Sequence, residues 1–280
     1  MGGDRDMVAF LQRAAGYSLT GDTSEHRLLF PYGSGANGKS TCLETLFRIW
    51  GDYVRRIPAV SLLNSHGERH PTDLAGLRGE RFVVGSELPR GKSWDESAIK
   101  DLTGGDVVTA RFMRQDFFDF RPQFTLWIAG NTLSSFKGVD EALRRRVVLV
   151  PFNVTIPAER RDPDLPAKLA AEAGQVLAWA IEGAVEWQTK GLAVPASAAD
   201  ASRDYLDGED TLGQFLSDET VVEALAFVTT TALHERFRQW SETQGLQSWT
   251  LRTLQKEVAA RGFIAARRGA GNGFLGLRLP

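Results

Sequence analysis

The segment Gly33–Ser40, which reads GSGANGKS, is the feature that most restricts how this chain can fold. It matches the pattern G-x-x-x-x-G-K-[ST] without a gap, and it lies between an apolar segment at 27–30 and a helical pattern over 39–49. Its three glycines allow backbone conformations that other residues avoid, so successive N–H groups can turn toward one anion. The pattern predicts a strand, a phosphate-binding loop and a helix, in that order. The alternative is a chance glycine turn before a helix.

A loop of this kind predicts a nucleoside triphosphate site, and we expect ATP and Mg²⁺ as cofactors. Lys39 is expected to contact the β- and γ-phosphates, and the Ser40 hydroxyl to bind Mg²⁺, which prefers octahedral oxygen ligands. The N-terminus of the following helix adds positive potential. The residues expected to bind the nucleotide are Gly33, Gly35, Asn37, Gly38, Lys39, Ser40 and Thr41.

The composition is that of a globular protein and excludes several other classes. A chain of 280 residues predicts one to two domains at roughly 150 residues each, and 42% apolar with 24% charged residues is typical of a globular protein. The single Cys42 excludes an internal disulfide framework and a cysteine-rich zinc site. No apolar run approaches the ~20 residues of a membrane span. The net charge of -2 excludes a uniformly basic coat for nucleic acid, so any such contact must be local.

Apolar strands alternate with helical patterns through much of the chain, which predicts an α/β fold: a P-loop ATPase with a mainly parallel sheet, followed by a small C-terminal domain. Further strands are expected at 81–86, 124–129 and 147–151, with a hairpin across 106–120 and one long helix at 165–189. The predicted regions are a short helical lead-in at 1–25, the ATPase domain at 26–190, an acidic linker region at 191–228 and the C-terminal domain at 229–280.

Two polar residues follow predicted strands of the sheet. Glu87 follows the strand at 81–86, where a carboxylate can hold the metal's water or polarise the attacking water. Asn131 follows the strand at 124–129, where an amide can hydrogen-bond the γ-phosphate and the attacking water. The alternatives are a surface acid for Glu87 and a turn residue for Asn131. We expect both to be catalytic, with Glu87 and Ser40 at the metal.

Three arginines, Arg144, Arg145 and Arg146, stand immediately before the buried strand at 147–151. An arginine inserted into a neighbouring subunit's ATP site would stabilise the charge of the transition state, and this requires a ring of subunits. The alternative is a solvated basic turn.

Taken together, the motifs resemble the superfamily-3 helicases of the phage/plasmid primase–helicase type. The matching segments are FLQRAAGYSLTG (10–21), GSGANGKST (33–41), LRGERFVVGSE (77–87), IKDLTGGDVVTARF (99–112), FRPQFTLWIAGN (120–131) and ALRRRVVLVPF (142–152). The resemblance is close over roughly residues 7–152 and loose over the remainder. One departure is Leu133-Ser134, where the family usually carries a proline after the asparagine.

The resemblance implies an AAA+-like hexameric ring ATPase that translocates on a DNA strand and hydrolyses ATP between subunits. Carried over by position, Lys39 and Ser40 bind phosphates and Mg²⁺, Glu87 is the Walker B acid, and Asn131 is the polar sensor. Arg145 and Arg146 match the family's paired arginines, of which one is the arginine finger, while Arg144 is an extra residue without an assigned role. Relatives commonly carry a primase domain upstream, so a separate primase is an expected partner.

The stretch 100–122 is expected to hold DNA. Gly104-Gly105-Asp106 predicts a turn, and the segments around Arg114 alternate like two strands of a hairpin. Such hairpins could project basic tips into the channel of a ring, where contact with backbone phosphate is salt-sensitive and tolerant of sequence. The candidate DNA-binding residues here are Lys100, Arg111, Arg114 and, more weakly, Lys137. The alternative is an ordinary hairpin with exposed charges.

The last 52 residues hold eight Lys+Arg and three Asp+Glu, a net charge of +5. Two amphipathic helices, at 229–244 and 249–261, precede a basic hairpin, an order that resembles a winged helix. This predicts contact with duplex DNA through Arg252, Lys256, Arg267 and Arg268. The alternative is a small structural or protein-docking domain.

The sequence therefore predicts an ATP-dependent DNA helicase for phage, plasmid or satellite-element replication. An ATP-gated DNA-binding initiator or clamp without processive unwinding is the alternative. A P-loop kinase or GTPase fits less well, because the chain has the arginine pair and no base-reading N-K-x-D signal. We expect a cytoplasmic protein without a membrane partner, in a bacterial host if a phage or mobile element encodes it.

Overall fold

The computed structural model describes residues 1–64, 71–86, 92–136, 138–269 and 271–280. The chain divides into two compact units: Met1–Phe136 with Glu141–Tyr205, and Lys137–Asp140 with Leu206–Pro280. The helices are α1 (Arg5–Thr20), α2 (Lys39–Ile49), α3 (Pro71–Ala75), α4 (Glu96–Thr103), α5 (Glu141–Arg144), α6 (Leu165–Ala171), α7 (Ala173–Lys190), α8 (Ala196–Glu209), α9 (Thr211–Glu219), α10 (Thr230–Thr243) and α11 (Leu251–Ala260). The strands are β1 (Leu28–Tyr32), β2 (Val54–Pro58), β3 (Phe82–Ser86), β4 (Val108–Ala110), β5 (Phe118–Phe120), β6 (Thr125–Ala129), β7 (Val147–Pro151), β8 (Val221–Thr229), β9 (Ala265–Arg268) and β10 (Gly271–Arg278).

The first unit is built on a five-stranded sheet in the order β2-β3-β6-β1-β7, and every neighbouring pair is parallel. The predicted α/β fold with a mainly parallel sheet is thus confirmed. Because the strands are parallel, the loops that follow β1 and β6 lie at the same edge of the sheet, and the residues that precede β7 lie at the opposite edge.

The central strands are apolar because both faces of the sheet are covered. All five residues of β6 are buried, as are the first four of β1 and of β7. Phe10 and Tyr17 of α1 belong to the same core as Trp127 of β6, and the Trp127 indole Nε1 donates to Ser18 Oγ at 3.0 Å. Because the indole N–H has a hydrogen-bond acceptor, this large side chain can be fully buried.

Helices α1 and α7 pack unusually closely. A Cβ atom on Gly183 would lie 2.1 Å from the carbonyl oxygen of Gln12, and one on Gly16 would lie 2.2 Å from that of Ala180. Beside this contact the buried Arg13 donates from Nε to the carbonyl of Leu192 and from Nη1 to Glu186, at 2.9 and 3.2 Å. The glycines therefore set the distance between the helices, and Arg13 ties α1 to the chain beyond α7.

The second unit contains an antiparallel sheet in the order β8-β10-β9. Its core is formed by side chains of α9, α10, α11 and β10, among them Phe215, Phe237, Leu254 and Phe274. The two predicted helices and the basic hairpin are present, as α10, α11 and β9–β10.

Several elements differ from the sequence-based expectation. The helix expected at 165–189 is two helices, α6 and α7. The region expected as an acidic linker, 191–228, contains α8, α9 and most of β8, and the boundary between the units falls inside it, after Tyr205. Strand β8 escaped detection because most of its residues are exposed and its apolar residues do not alternate. Across the described residues, no helix is both long and apolar enough to cross a membrane.

Candidate nucleotide site and basic surfaces

The predicted phosphate loop connects β1 to α2. Gly33, Gly35 and Gly38 have φ values of 153°, 99° and 83°, which L side chains rarely adopt. Gly33 is also enclosed, since a Cβ atom there would lie 2.4 Å from both Asn37 Nδ2 and the Phe152 carbonyl oxygen. The glycines of the motif are thus required by the backbone path of the loop.

Side-chain and backbone hydrogen bonds hold this loop in shape. Asn37 Nδ2 donates to the Phe152 carbonyl at 2.8 Å, and Asn37 Oδ1 accepts from the Lys39 amide at 3.3 Å. The Ile156 amide donates to the Ala36 carbonyl at 2.7 Å. The Asn37 side chain, expected from sequence to bind nucleotide, therefore fastens the loop to the segment that follows β7.

Lys39 is the centre of the site. The residue is 4% exposed, and its Nζ donates to the carbonyls of Gly130 and Gly33 and to Asn131 Oδ1, at 2.7, 3.3 and 2.8 Å. All three acceptors are neutral oxygens, and desolvation lowers the pKa of the lysine. Among the described residues this buried ammonium has no negative partner, and burying an unpaired charge costs free energy. An anion bound at the loop would compensate the positive charge.

Asn131 reaches Lys39 because β1 and β6 are neighbours. The Gly130 amide donates to the Pro31 carbonyl at 3.2 Å, and Tyr32 pairs with Gly130 in an isolated parallel bridge. The structure therefore brings together two predicted site residues that are 92 positions apart in the chain.

The first turn of α2 completes an anion-binding arrangement. Gly38 caps the helix without a side-chain hydrogen bond, and the first turn carries no acidic residue. Ser40 is exposed and Thr41 half-buried there. Amide groups at such a helix terminus attract phosphate. Beside this turn lies a cavity of about 230 Å³ between α2 and α6, with Ser40 and Thr41 at one end and Leu169 and Ala170 in its wall.

Two predicted residues, Glu87 and Lys137, lie outside the described residues. Within the described part of the chain, no group of three or more His, Cys, Asp or Glu side chains is placed to hold a metal ion.

The predicted arginine pair lies at the far edge of the sheet. The Leu28 amide donates to the Arg146 carbonyl at 2.8 Å, which places both arginines beside the start of β1. The five residues of β7 span about 16 Å at ~3.3 Å per residue, so neither arginine is near Lys39 of the same chain. Arg145 is exposed, whereas the half-buried Arg146 donates from Nη1 to the Ala142 carbonyl at 2.9 Å. Of the pair, Arg145 is therefore the more exposed.

The hairpin expected at 106–120 is formed by β4 and β5, which pair from Val108–Phe120 to Ala110–Phe118. Arg111 and Arg114 are exposed in the connection between these strands, and Arg114 has a φ of 61°. Lys100 lies apart from them, half-buried in the last turn of α4. The structure thus groups two of the predicted DNA contacts at the hairpin tip.

In the second unit, α11 and the β9–β10 hairpin enclose a cleft of about 590 Å³. Its lining includes Arg252 and Lys256 of α11 and Arg267 of β9, together with Gln255 and Asn272. Three of the four cations predicted for this unit therefore share one surface. The fourth, Arg268, stacks on the Phe227 ring with its guanidinium carbon 5.3 Å from the ring centroid, and it does not line the cleft.

Comparison with known proteins gives three kinds of similarity. Residues 32–146 match a family described as a family of unknown function (DUF5906). Viral relatives whose names begin "Putative helicase" come from Acanthamoeba polyphaga mimivirus, at 30% identity over 151 residues, and from Frog virus 3 (isolate Goorha), at 26% identity over 261 residues. These alignments cover 53% and 85% of this chain, but only 16% and 26% of the relatives. The chain therefore spans about a quarter or less of the curated relatives it matches.

Two apo structures of the NrS-1 C-terminal region, residues 305–718, are similar in fold. They cover 98% and 99% of this chain and 70% and 72% of the solved chains, with TM-scores of 0.50 and 0.51 at 10% sequence identity. At this identity the likeness concerns the fold alone. The chain thus has the fold of that region and resembles in sequence viral proteins named as putative helicases.

Proposed function

We propose that this chain is the motor part of an ATP-dependent DNA helicase of the superfamily-3 type. The observation that carries the proposal is the environment of Lys39: a buried ammonium held by neutral oxygens of Gly33, Gly130 and Asn131, at the mouth of a glycine loop and a helix N-terminus. An anion at this loop would compensate the charge of Lys39, and a glycine loop followed by a helix N-terminus is suited to a triphosphate.

The residues fit ATP with Mg²⁺. The loop amides from Gly33 to Gly38 and the first turn of α2 would hold the phosphates, Lys39 would neutralise the terminal ones, and the exposed Ser40 hydroxyl would bind the metal. Mg²⁺ supplies charge neutralisation on the phosphates and orients them. Glu87 is proposed on sequence grounds as the acid that acts on the metal's water or on the attacking water.

The position of the arginines supports a ring with shared sites. Because Arg145 and Arg146 lie at the edge of the sheet opposite Lys39, they can act on phosphates only in another subunit. The exposed Arg145 is the better candidate for this role, and Arg146 is better suited to hold the turn before β7. A hexamer is the proposed assembly, by resemblance to the superfamily-3 helicases.

DNA is the proposed substrate, and the viral relatives whose names begin "Putative helicase" support a role on nucleic acid. The hairpin tip with Arg111 and Arg114 would contact a single strand in the ring, while Lys100 and Lys137 remain weaker candidates. The cleft with Arg252, Lys256 and Arg267 in the winged-helix-like second unit would contact duplex DNA, with Arg268 beside it. We further propose a role in the replication of phage, plasmid or satellite elements. A separate primase is the proposed partner, and the proposed location is cytoplasmic.

Strand displacement tests this function. A labelled forked duplex is incubated with the protein, ATP and Mg²⁺, and the released strand is quantified. We expect displacement by the wild type, none by Lys39→Ala, and wild-type displacement by Lys190→Ala, which removes an exposed lysine paired with Glu186. ATP turnover and ATP-dependent DNA binding without displacement, with loading partners included, would instead identify an ATP-gated initiator or clamp. Absence of ATP turnover in the wild type would overturn both.

A further inference from the structure

The connection between β4 and β5 exposes an unusual set of side chains. All seven residues from 111 to 117 are exposed, and they include Phe112, Met113 and Phe117, whose exposed fractions are 40%, 69% and 58%. Single exposed apolar residues are common on protein surfaces, but three within six positions form a patch that marks a contact surface. We call residues 111–117 the hairpin tip.

Arginine side chains interleave with these aromatic rings. The Arg111 guanidinium carbon lies 4.6 Å from the centroid of the Phe117 ring. The Phe112 ring stacks on Phe118, with centroids 5.7 Å apart and an angle of 29° between the planes. On Phe118, in turn, lies the guanidinium of Arg78, at 5.2 Å. Rings and guanidinium groups therefore form two short stacks that end at the hairpin tip.

A tight turn holds the tip in shape. The Gln115 amide donates to the Phe112 carbonyl at 3.1 Å, and Arg114 has a φ of 61° within this turn. Below it, Thr109 Oγ1 donates to Asp119 Oδ1 at 2.7 Å across the strand pair. The rings are thus presented on a defined hairpin, so stacking on them requires little ordering of the protein.

Aromatic faces combined with arginines match the chemistry of a single-stranded nucleic acid. Each nucleotide offers a π-face for stacking and a phosphate for a cation, and base–aromatic stacking tolerates any sequence. The bases of a duplex are already stacked on each other and cannot use such rings without being separated. Arg111 and Arg114 against Asp116 leave the tip with a net positive charge, which also favours a polyanion.

The geometry points to the hairpin tip as a base-stacking site for a single strand: Phe112 and Phe117 stack on unpaired bases while Arg111 and Arg114 contact the adjoining phosphates. This rests on the proposed DNA-dependent function and deepens it, because the sequence pattern predicts only phosphate contacts at the hairpin. It also gives the hairpin a way to distinguish separated strands from duplex.

The test compares two strands of equal charge. Binding of the full chain to labelled oligothymidylate and to an abasic strand of the same length is measured by fluorescence anisotropy over a series of salt concentrations. We expect the abasic strand to bind about tenfold or more weakly, the loss of one or more stacked bases. Phe112→Leu and Phe117→Leu should reduce this preference without changing the salt dependence. Phe117→Trp should retain it.

Two further variants separate the contribution of phosphate contacts from that of base stacking. Arg114→Gln should weaken binding to both strands alike and lower the salt slope by about one. Val107→Ala removes an exposed apolar side chain of the same hairpin outside the tip and should change neither affinity. Circular dichroism confirms that each variant is folded.

Three results would overturn the inference: equal affinity of the wild type for both strands, no binding of oligothymidylate, or leucine variants that change only the oligomeric state in sedimentation. The last result would mean that the tip packs against a second copy of the chain. The outcome is independent of the motor activity. A wild type that displaces strands without preferring bases overturns this inference alone, whereas one that prefers bases without hydrolysing ATP overturns the proposed function alone.

Discussion

Lys39 Nζ lies 2.8 Å from Asn131 Oδ1, so the phosphate loop after β1 is joined by a side-chain hydrogen bond to the end of β6. Asn131 is the one side-chain partner of this lysine among the described residues, since the other two acceptors are main-chain carbonyls. This contact is consistent with the proposed role of Asn131 in detecting the nucleotide.

The two ends of this contact should respond differently to substitution. Lys39→Ala should abolish both ATP binding and turnover, because the site loses its buried cation. Asn131→Ala should retain binding and lower kcat by about 100-fold, the usual effect of removing one polar group that acts in the transition state. Filter binding and steady-state hydrolysis measure the two quantities. Equal losses of binding and turnover in Asn131→Ala would contradict the assignment.

The arginine pair should separate into one functional and one structural residue. Arg145→Ala should lower turnover about 1000-fold while leaving the free energy of unfolding within about 0.5 kcal/mol, because the side chain is exposed. Arg146→Ala should lower that free energy by about 1 kcal/mol through loss of the hydrogen bond to Ala142. Urea unfolding and hydrolysis assays measure both effects, and the reverse pattern would exchange the roles.

Close packing of α1 against α7 should make one glycine substitution in α7 destabilising and leave another, away from the contact, harmless. Gly183→Ala places a Cβ atom 2.1 Å from the Gln12 carbonyl oxygen, and it should destabilise the protein by at least about 1–3 kcal/mol. Gly174→Ala in the same helix meets no atom within 4 Å, and it should be neutral or stabilise by up to about 1 kcal/mol. Thermal unfolding followed by circular dichroism compares them. A neutral Gly183→Ala would show that the helices are further apart.

The half-buried Cys42 should react slowly in the folded protein. Burial raises the pKa of its thiol from an ordinary value of 9.0 to about 11, so about 100-fold less thiolate is present at pH 8 than in the unfolded chain. Alkylation by iodoacetamide should be slower by that factor until urea is added, and should accelerate about tenfold per pH unit toward pH 11. The stability contributed by the neutral thiol is present below pH 9 and is lost as the pH rises toward 11. Rapid alkylation of the folded protein at pH 8 would contradict this environment.

The cleft of the second unit should bind DNA through charge. Arg252→Gln and Arg267→Gln should each weaken duplex binding and lower the slope of log affinity against log salt by about one. Arg238→Gln is the control, because this guanidinium is already bound to Glu235 and Glu242. Identical salt slopes in all three variants would exclude the cleft as the duplex contact.

The sequence was most informative where a local pattern requires one backbone path. The glycines, Lys39 and the helix that begins at Lys39 were predicted together, because a phosphate loop needs all three in a fixed order. The hairpin and the central apolar strands were likewise predicted from alternation and from turn residues.

Properties that depend on neighbours distant in the chain were not predictable. That Lys39 binds Asn131, and that Asn37 is fastened to Phe152, depends on the strand order in the sheet. The separation of Arg145 from Arg146 depends on which side chain turns inward. The aromatic residues at the hairpin tip, Phe112 and Phe117, were visible in the sequence close to Arg111 and Arg114, but an alternating strand pattern does not tell which rings stay exposed.

The central claim, that each ATP site is completed by a second subunit, is tested most directly by mixing two inactive variants. Arg145→Ala keeps an intact phosphate loop, and Lys39→Ala keeps an intact arginine, so a mixed ring contains interfaces with both. We predict that each variant alone lacks ATP turnover and that the mixture regains it, with a maximum near equal amounts. Turnover of the mixture equal to the sum of the separate variants, at concentrations where sedimentation shows that they assemble together, would contradict the shared site.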